Sequence, residues 1–408
     1  MLSGETRTRR VLILTQRFPY PPDRGDRIRS YNLLRFLANH FEVTVGCTTH
    51  EPVPAVNLAH LRELVSDVIV GPIGKWTKYR RAAQSVFAGA SITEGYFHSP
   101  LLAKSIQKLH TRKPFDALLV YCSSMFQYRK RAGLENVPAV VDLVDVDSQK
   151  WKQLSVDSVG LKRQVYRLET NRTHRLEQTI ASVADSITLT SVQEASLFSS
   201  SVGGHVTAFG ISNGVDTTYF RVNDARFSKQ QLPIQLVFTG VMDYPPNIEG
   251  MRWFCRDVWP LIIKRLDVNL KIVGRSPTQA VCKLGDIEGI EVVGEVPDVR
   301  PYLDAADIAI SPLLLARGIQ NKVLEAMASG LPAVVTPQSA EGIEADSGVH
   351  FEIAENAMEF ANAVVLLGKS IQSRLDMGTT ARKLVEQQYS WPAKLEKFRD
   401  LVDQACVK

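Results

Sequence analysis

The sequence predicts an α/β protein built from two Rossmann-like β/α halves. One unit carries the prediction because it occurs twice: apolar strand, glycine- or proline-containing loop, helix, strand. It opens the chain at residues 11–16 and opens again at 235–240. Elsewhere short apolar runs alternate with longer amphipathic or polar stretches, as parallel strands with helices on both faces require.

In the first half, strands are expected at 11–16, 41–48, 65–73, 117–124, 139–147 and 186–191. A proline-rich loop with Gly25 follows the first strand. The helix expected at 26–39 buries Leu33, Leu34 and Leu37. Gly25 serves either a close approach to a ligand or a plain turn. The chain contains neither G-x-G-x-x-G nor G-x-x-x-x-G-K-[ST], which disfavours a dinucleotide dehydrogenase and a P-loop NTPase.

In the second half, strands at 235–240, 269–274 and 290–296 lead to the most informative stretch, 311–336. Residues 308–315 are apolar enough for a buried strand. Gly318 lets the backbone bend, and a helix at 321–329 ends at Gly330 and Pro332. Val323, Leu324, Met327, Ala328 and Leu331 share one face, and Lys322, Glu325 and Ser329 the other. The backbone N–H groups of Gly318, Ile319, Gln320 and Asn321, a helix N-terminus and a Lys–Glu pair together suit an anion with hydroxyls beside it. Lys322 and Glu325 equally fit an ordinary surface pair.

The residues Gly-Ile-Gln-Asn-Lys-Val-Leu-Glu-Ala-Met-Ala-Ser-Gly-Leu-Pro-Ala-Val, from Gly318 onward, resemble the donor-site motif of the retaining glycosyltransferases of family 4. The resemblance extends in order along nearly the whole chain and is strongest to the sugar transferases of bacterial exopolysaccharide gene clusters. It implies the GT-B fold: two Rossmann-like domains facing a cleft, with a C-terminal crossover helix. The hinge-like Ile211–Asp216 stretch then divides the chain into an acceptor domain, 1–210, a nucleotide-sugar donor domain, 211–388, and a closing helix, 389–408, that packs back on the first. Gly25 faces the 311–336 site in that arrangement.

The resemblance also assigns roles. Glu325 matches the second Glu of the family motif and accepts from ribose hydroxyls. The first Glu of the motif is replaced here by Arg317, read as a substitute cation in the catalytic site. Many relatives carry an Arg and a Lys in the loop after the first strand of this domain. This chain has Val241 or Met242 and Asn247 near those places, so Gly240 and Asn247 are expected at the donor while Arg275 and Lys322 supply the charge. Val296 matches the contact to the nucleotide base.

Asp142, Asp145 and Asp147 lie at the end of the 139–147 strand. They are read as acceptor-side groups, with Asp145 or Asp147 as base or sugar clamp, and not as the Asp-x-Asp metal site of a different fold. Two basic stretches, 75–81 with its aromatics and the helix at 160–180, fit either an anionic membrane surface or a solvated face.

Composition bounds the rest. The 408 residues carry 48 Lys and Arg against 43 Asp and Glu, a net +5 that does not demand nucleic acid. Five scattered cysteines without Cys-x-x-Cys suggest neither disulfides nor a zinc site and fit a reducing cytosol. No apolar run approaches the ~20 residues of a membrane span. The expected protein is a cytoplasmic, metal-independent transferase, peripheral at most on the inner face of the membrane. It needs no cofactor, a nucleoside-diphosphate sugar as donor, and a glycan or lipid-linked acceptor. A GT-B nucleotide-sugar epimerase and a catalytically silent nucleotide-sugar binding protein are the alternatives.

Overall fold

Every strand of the first sheet pairs in parallel, as its buried apolar runs require. The strands are β1 (Arg10–Thr15), β2 (Glu42–Thr49), β3 (Asp67–Pro72), β4 (Ala117–Tyr121), β5 (Ala139–Val144), β6 (Ser186–Leu189) and β7 (Ala208–Gly210), in the order β3-β2-β1-β4-β5-β6-β7. The second sheet, also parallel, comprises β8 (Ile234–Thr239), β9 (Val268–Val273), β10 (Ile290–Gly294), β11 (Ile308–Ser311), β12 (Ala333–Val335) and β13 (Glu352–Ile353), ordered β10-β9-β8-β11-β12-β13. Both orders reverse beside the first strand, between β1 and β4 and between β8 and β11. Such a reversal opens a crevice at the strands' C-terminal ends.

This computed structural model describes residues 8–204, 206–223, 232–316 and 318–407. The chain divides into one unit of Met1–Asn213 with Lys394–Lys408 and another of Gly214–Ala393. In the first, Leu12, Leu14, Leu118, Val120, Val141 and Ile187 join buried helix residues in one core. In the second, helices cover both faces of the sheet, one face built on Phe238, Ile272 and Trp259, the other on Val237, Val335 and Met327.

Several strands stop short of their expected ends, each for a local reason. Cys122 (φ 73°) and Val144 (φ 72°) take left-handed conformations, which ends β4 and β5 before 124 and 147. Gly294 (φ 81°) does the same for β10. Pro312 ends β11, because it has no N–H for the ladder; beyond it Leu313 is buried but Leu315 is 73% exposed. The Asn213–Gly214 pair, expected as a turn, forms none. Val215 bridges to Ser390, and a Cβ on Gly214 would lie 2.6 Å from the Trp391 backbone.

Candidate functional site

The second unit gathers its polar groups at the reversal between β8 and β11. Gly240 follows β8, and Gly274 follows β9. A Cβ on Gly274 (φ 154°) would fall 1.6 Å from the Gly240 carbonyl oxygen, so only glycine permits this approach. The Gly240 N–H donates to Val273 O at 3.1 Å and the Met242 N–H to Arg275 O at 2.8 Å, stitching the two strand ends together. Arg275 is exposed just beyond.

The helix Asn321–Ala328 arrives at the same point. A Cβ on Gly240 would meet Asn247 Nδ2 at 2.9 Å and Lys322 Nζ at 3.1 Å. Lys322 Nζ donates to Asn247 Oδ1 at 2.6 Å and lies 4.3 Å from the centre of the Phe238 ring. Desolvation pulls the Lys322 ammonium down to about 7, against the favourable charge of Glu325. Burial raises the Glu325 carboxyl, with Lys322 opposing. The helix has no side-chain cap. Val323 and Leu324 N–H groups bond to Gln320 O, and among the described residues those of Asn321 and Lys322 have no acceptor. Gly318 (φ 66°) is exposed with open space around its Cβ position, and Gln320 Nε2 donates to its carbonyl at 3.1 Å. Ile319 lies against Gly342, and Val296 packs partly buried on the adjoining core. Arg317 falls outside the described residues.

Gly240, Asn247, Lys322 and the helix N-terminus are therefore brought together. Asn247, expected at the donor, contacts Lys322 and the Gly240 backbone. It is buried, and its amide is used on both sides, by Lys322 and by Val241 O at 2.8 Å. It holds the lysine in place. Gly274 was missed: as the last residue of an apolar run it reads as a mere strand end.

The first unit holds a separate constellation beyond β4 and β5. Lys150 Nζ lies 2.6 Å from Asp145 Oδ2 and 3.6 Å from Asp147 Oδ1. Ser123 Oγ donates to Asp147 at 2.9 Å and Thr190 Oγ1 to Asp145 at 3.1 Å. Burial pushes the Asp147 carboxyl up, with Lys150 as the main counterweight. The strained Cys122 and Val144 flank this group, and strain of that kind collects at functional sites. Lys150 was legible only as the i+3 neighbour of Asp147 on the helix Asp147–Val156.

Asp142 is corrected from acceptor-side group to structural ion. It is fully buried and accepts from Arg29 Nε at 2.8 Å, Arg29 Nη2 at 3.2 Å and Thr188 Oγ1 at 3.0 Å. Gly25 begins the helix Gly25–Leu37, exposed, without positive φ and with nothing near its Cβ position. The fold itself does not demand glycine there.

A cavity of about 750 Å³ lies elsewhere in the second unit, beside β13. Its charged lining is Glu352, Glu359 and Asp376, with no lysine or arginine, which does not suit a diphosphate. Among the described residues no group of three or more His, Cys, Asp or Glu is placed to hold a metal, and no helix is long and apolar enough to cross a membrane.

Two parallel sheets with helices on both faces, each reversing beside its first strand, make this the GT-B fold of glycosyltransferases. Residues 233–369, which include the Gly240–Lys322 site, match the family described as glycosyl transferases group 1. HepE of Anabaena, solved in complex with UDP and glucose, superposes with a TM-score of 0.60 at 15% identity over 97% of this chain and 100% of that one. Sucrose-phosphate synthase of Thermosynechococcus elongatus gives 0.61 at 15% identity over 97% and 98%. By sequence, a protein of the cps region of Klebsiella pneumoniae is 24% identical over 163 residues, 38% of this chain and 42% of that protein.

Proposed function

We propose that this chain transfers a sugar from a nucleoside-diphosphate sugar to an acceptor hydroxyl, with retention of configuration and without a metal. The observation that carries the reading is the convergence of Gly240, Asn247, Lys322 and an uncapped helix N-terminus where the second sheet reverses. The bare Gly240 backbone and the N–H groups of Gly318 to Asn321 admit a diphosphate. Lys322, Arg275 and Arg317 neutralise it as the leaving group gains charge. One preorganised donor of this kind stabilises a transition state by roughly 3 to 4 kcal/mol. Glu325 accepts from the ribose hydroxyls, and Val296 lies against the base.

In the first unit, Asp145 and Asp147 receive acceptor hydroxyls. Lys150 occupies the place between them that a divalent cation would need, which supports the metal-independent reading. HepE was solved with UDP-glucose as well as UDP, so UDP-sugars are the first donors to test. The cps-region relative points to exopolysaccharide or cell-surface glycan assembly, with a glycan or lipid-linked acceptor reached from the cytoplasmic face of the membrane.

A thermal-shift series with UDP-, GDP-, ADP- and TDP-sugars tests donor binding. A ligand at 100 times its Kd stabilises by about 2.7 kcal/mol. Donor bound and consumed only with a glycan acceptor supports the proposal. A changed sugar released without acceptor identifies an epimerase, and binding without turnover a silent binding protein; either overturns it.

A further inference from the structure

The helix Lys75–Phe87 turns an apolar edge outward. Trp76, Tyr79, Ala83 and Phe87 recur at helical spacing on its exposed face, Trp76 80% and Phe87 92% exposed. A second stripe runs along the helix Gly160–Val183: Leu161, Val165 and Leu168 stand at i, i+4 and i+7, all exposed. Val156 and Val159, the latter 85% exposed, extend it across the turn from the preceding helix. The two stripes adjoin. One turn beyond Leu168, Arg172 donates to Val86 O, next to Phe87, and Glu169 accepts from the Ile92 and Thr93 N–H groups just past the first helix.

The charge around these stripes is mainly positive, with the exposed Asp157 in the turn as the exception. Lys75, Lys78, Arg80 and Arg81 lie on the first helix, with no Asp or Glu from 68 to 93. Lys162, Arg163 and Arg167 lie on the second, with none from 158 to 168. Exposed aromatic and aliphatic side chains bordered by cations match the interfacial region of an anionic bilayer: apolar groups enter the acyl boundary and Lys and Arg meet the headgroup phosphates. A second copy of this chain fits poorly, since pairing the faces would set cations against cations. We infer that the joint face of the Lys75–Phe87 helix and the 156–168 turn and helix is a docking surface for an anionic lipid bilayer. It rests on the transferase reading only for its purpose, access to a membrane-borne acceptor.

The test is flotation of the full chain with vesicles of phosphatidylcholine alone and of phosphatidylcholine with phosphatidylglycerol, at low and high salt. Two double variants, Trp76→Ser with Phe87→Ser and Arg163→Glu with Arg167→Glu, are run beside the parent, and sedimentation follows self-association. Expected is capture by the anionic vesicles about tenfold above the neutral ones, reduced by salt and lost in both variants. These side chains are exposed, and an unchanged Tm and circular dichroism spectrum show that the variants fold. Equal capture by both vesicles, capture by neither, or anionic capture that survives both variants overturns the inference. A concentration-dependent dimer abolished by the variants also overturns it and marks a self-association face. Vesicle capture requires no turnover, so failure of the transferase reading is recognised separately.

Discussion

The Lys322 ammonium donates to the buried Asn247 amide oxygen at 2.6 Å, directly beside the bare backbone of Gly240. Asn247 is a neutral group that positions the charge of Lys322. An amide oxygen orients the ammonium without neutralising it, and leaves it available to a phosphate.

That relationship predicts a pH dependence. Lys322 titrates at about 7 in the free protein because burial disfavours its charge. A bound diphosphate favours the charge and raises this value. UDP affinity is therefore full below about 7 and declines as the pH rises through the higher value of the complex. Calorimetry at pH 8 in buffers of different ionisation enthalpy should show proton uptake on binding. Lys322→Met should weaken binding by about 2 kcal/mol, roughly thirtyfold in Kd, and abolish the uptake. Asn247→Leu should move the pH midpoint to lower values, since the ammonium then loses its acceptor. Uptake that persists in Lys322→Met would assign the proton to another group.

Arg317 yields a second prediction. A guanidinium cannot accept hydrogen bonds from a sugar as a Glu does, but it pairs well with a diphosphate ahead of a helix N-terminus. Arg317→Ala should lower turnover and donor affinity together, each about tenfold to a hundredfold, as loss of a charged hydrogen bond implies. Arg317→Glu should be worse, by placing like charge against the phosphates. A faster Arg317→Glu enzyme that binds donor as tightly as the parent would refute the substitute-cation role.

The Asp145–Lys150–Asp147 group predicts that turnover survives EDTA, because the lysine already pairs with both carboxylates. Asp147→Asn should raise KM for the acceptor about tenfold or more while leaving UDP binding unchanged. Lys150→Met removes the main counterweight to burial at Asp147 and should raise that carboxyl further. Whatever activity depends on ionised Asp147 then shifts to higher pH. Activity lost in EDTA and restored by Mn²⁺ would show that a metal is required after all.

The fold was largely legible because parallel strands buried on both faces write continuous apolar runs, and the glycine loops mark where helices begin. The approach of Lys322 to Gly240 was legible for the same reason, a strand–loop–helix unit with polar residues on one face. Strand ends were not, because left-handed turns at Cys122 and Val144 leave no mark in residue type: valine is the last side chain one would place at φ 72°. Nor could spacing separate Asp142 from Asp145 and Asp147. Alternation along β5 puts Asp142 into the sheet interior, but its partner, Arg29, lies 113 positions earlier in the chain.

That buried pair carries the last prediction. Arg29 and Asp142 are 1% and 0% exposed and joined by two hydrogen bonds, while Arg29 Nη1 also donates to Asn213 Oδ1 at 3.0 Å. Removing either charge leaves the other buried without its counter-ion, which typically costs 3 to 5 kcal/mol, roughly a third or more of a domain's stability. Asp142→Ala and Arg29→Ala should each lower Tm sharply. Replacing both together, Arg29→Met with Asp142→Val, removes the charges and nearly keeps the volume. A buried pair exchanged for apolar groups is often neutral or stabilising, so the double variant should recover most of the loss. Asn213→Ala removes one further acceptor from Arg29 and should cost about 1 to 2 kcal/mol. Single variants that melt like the parent would show that the pair is not needed to hold the helix Gly25–Leu37 against β5. A double variant no better than the singles would assign its role to geometry at Asn213 instead of charge.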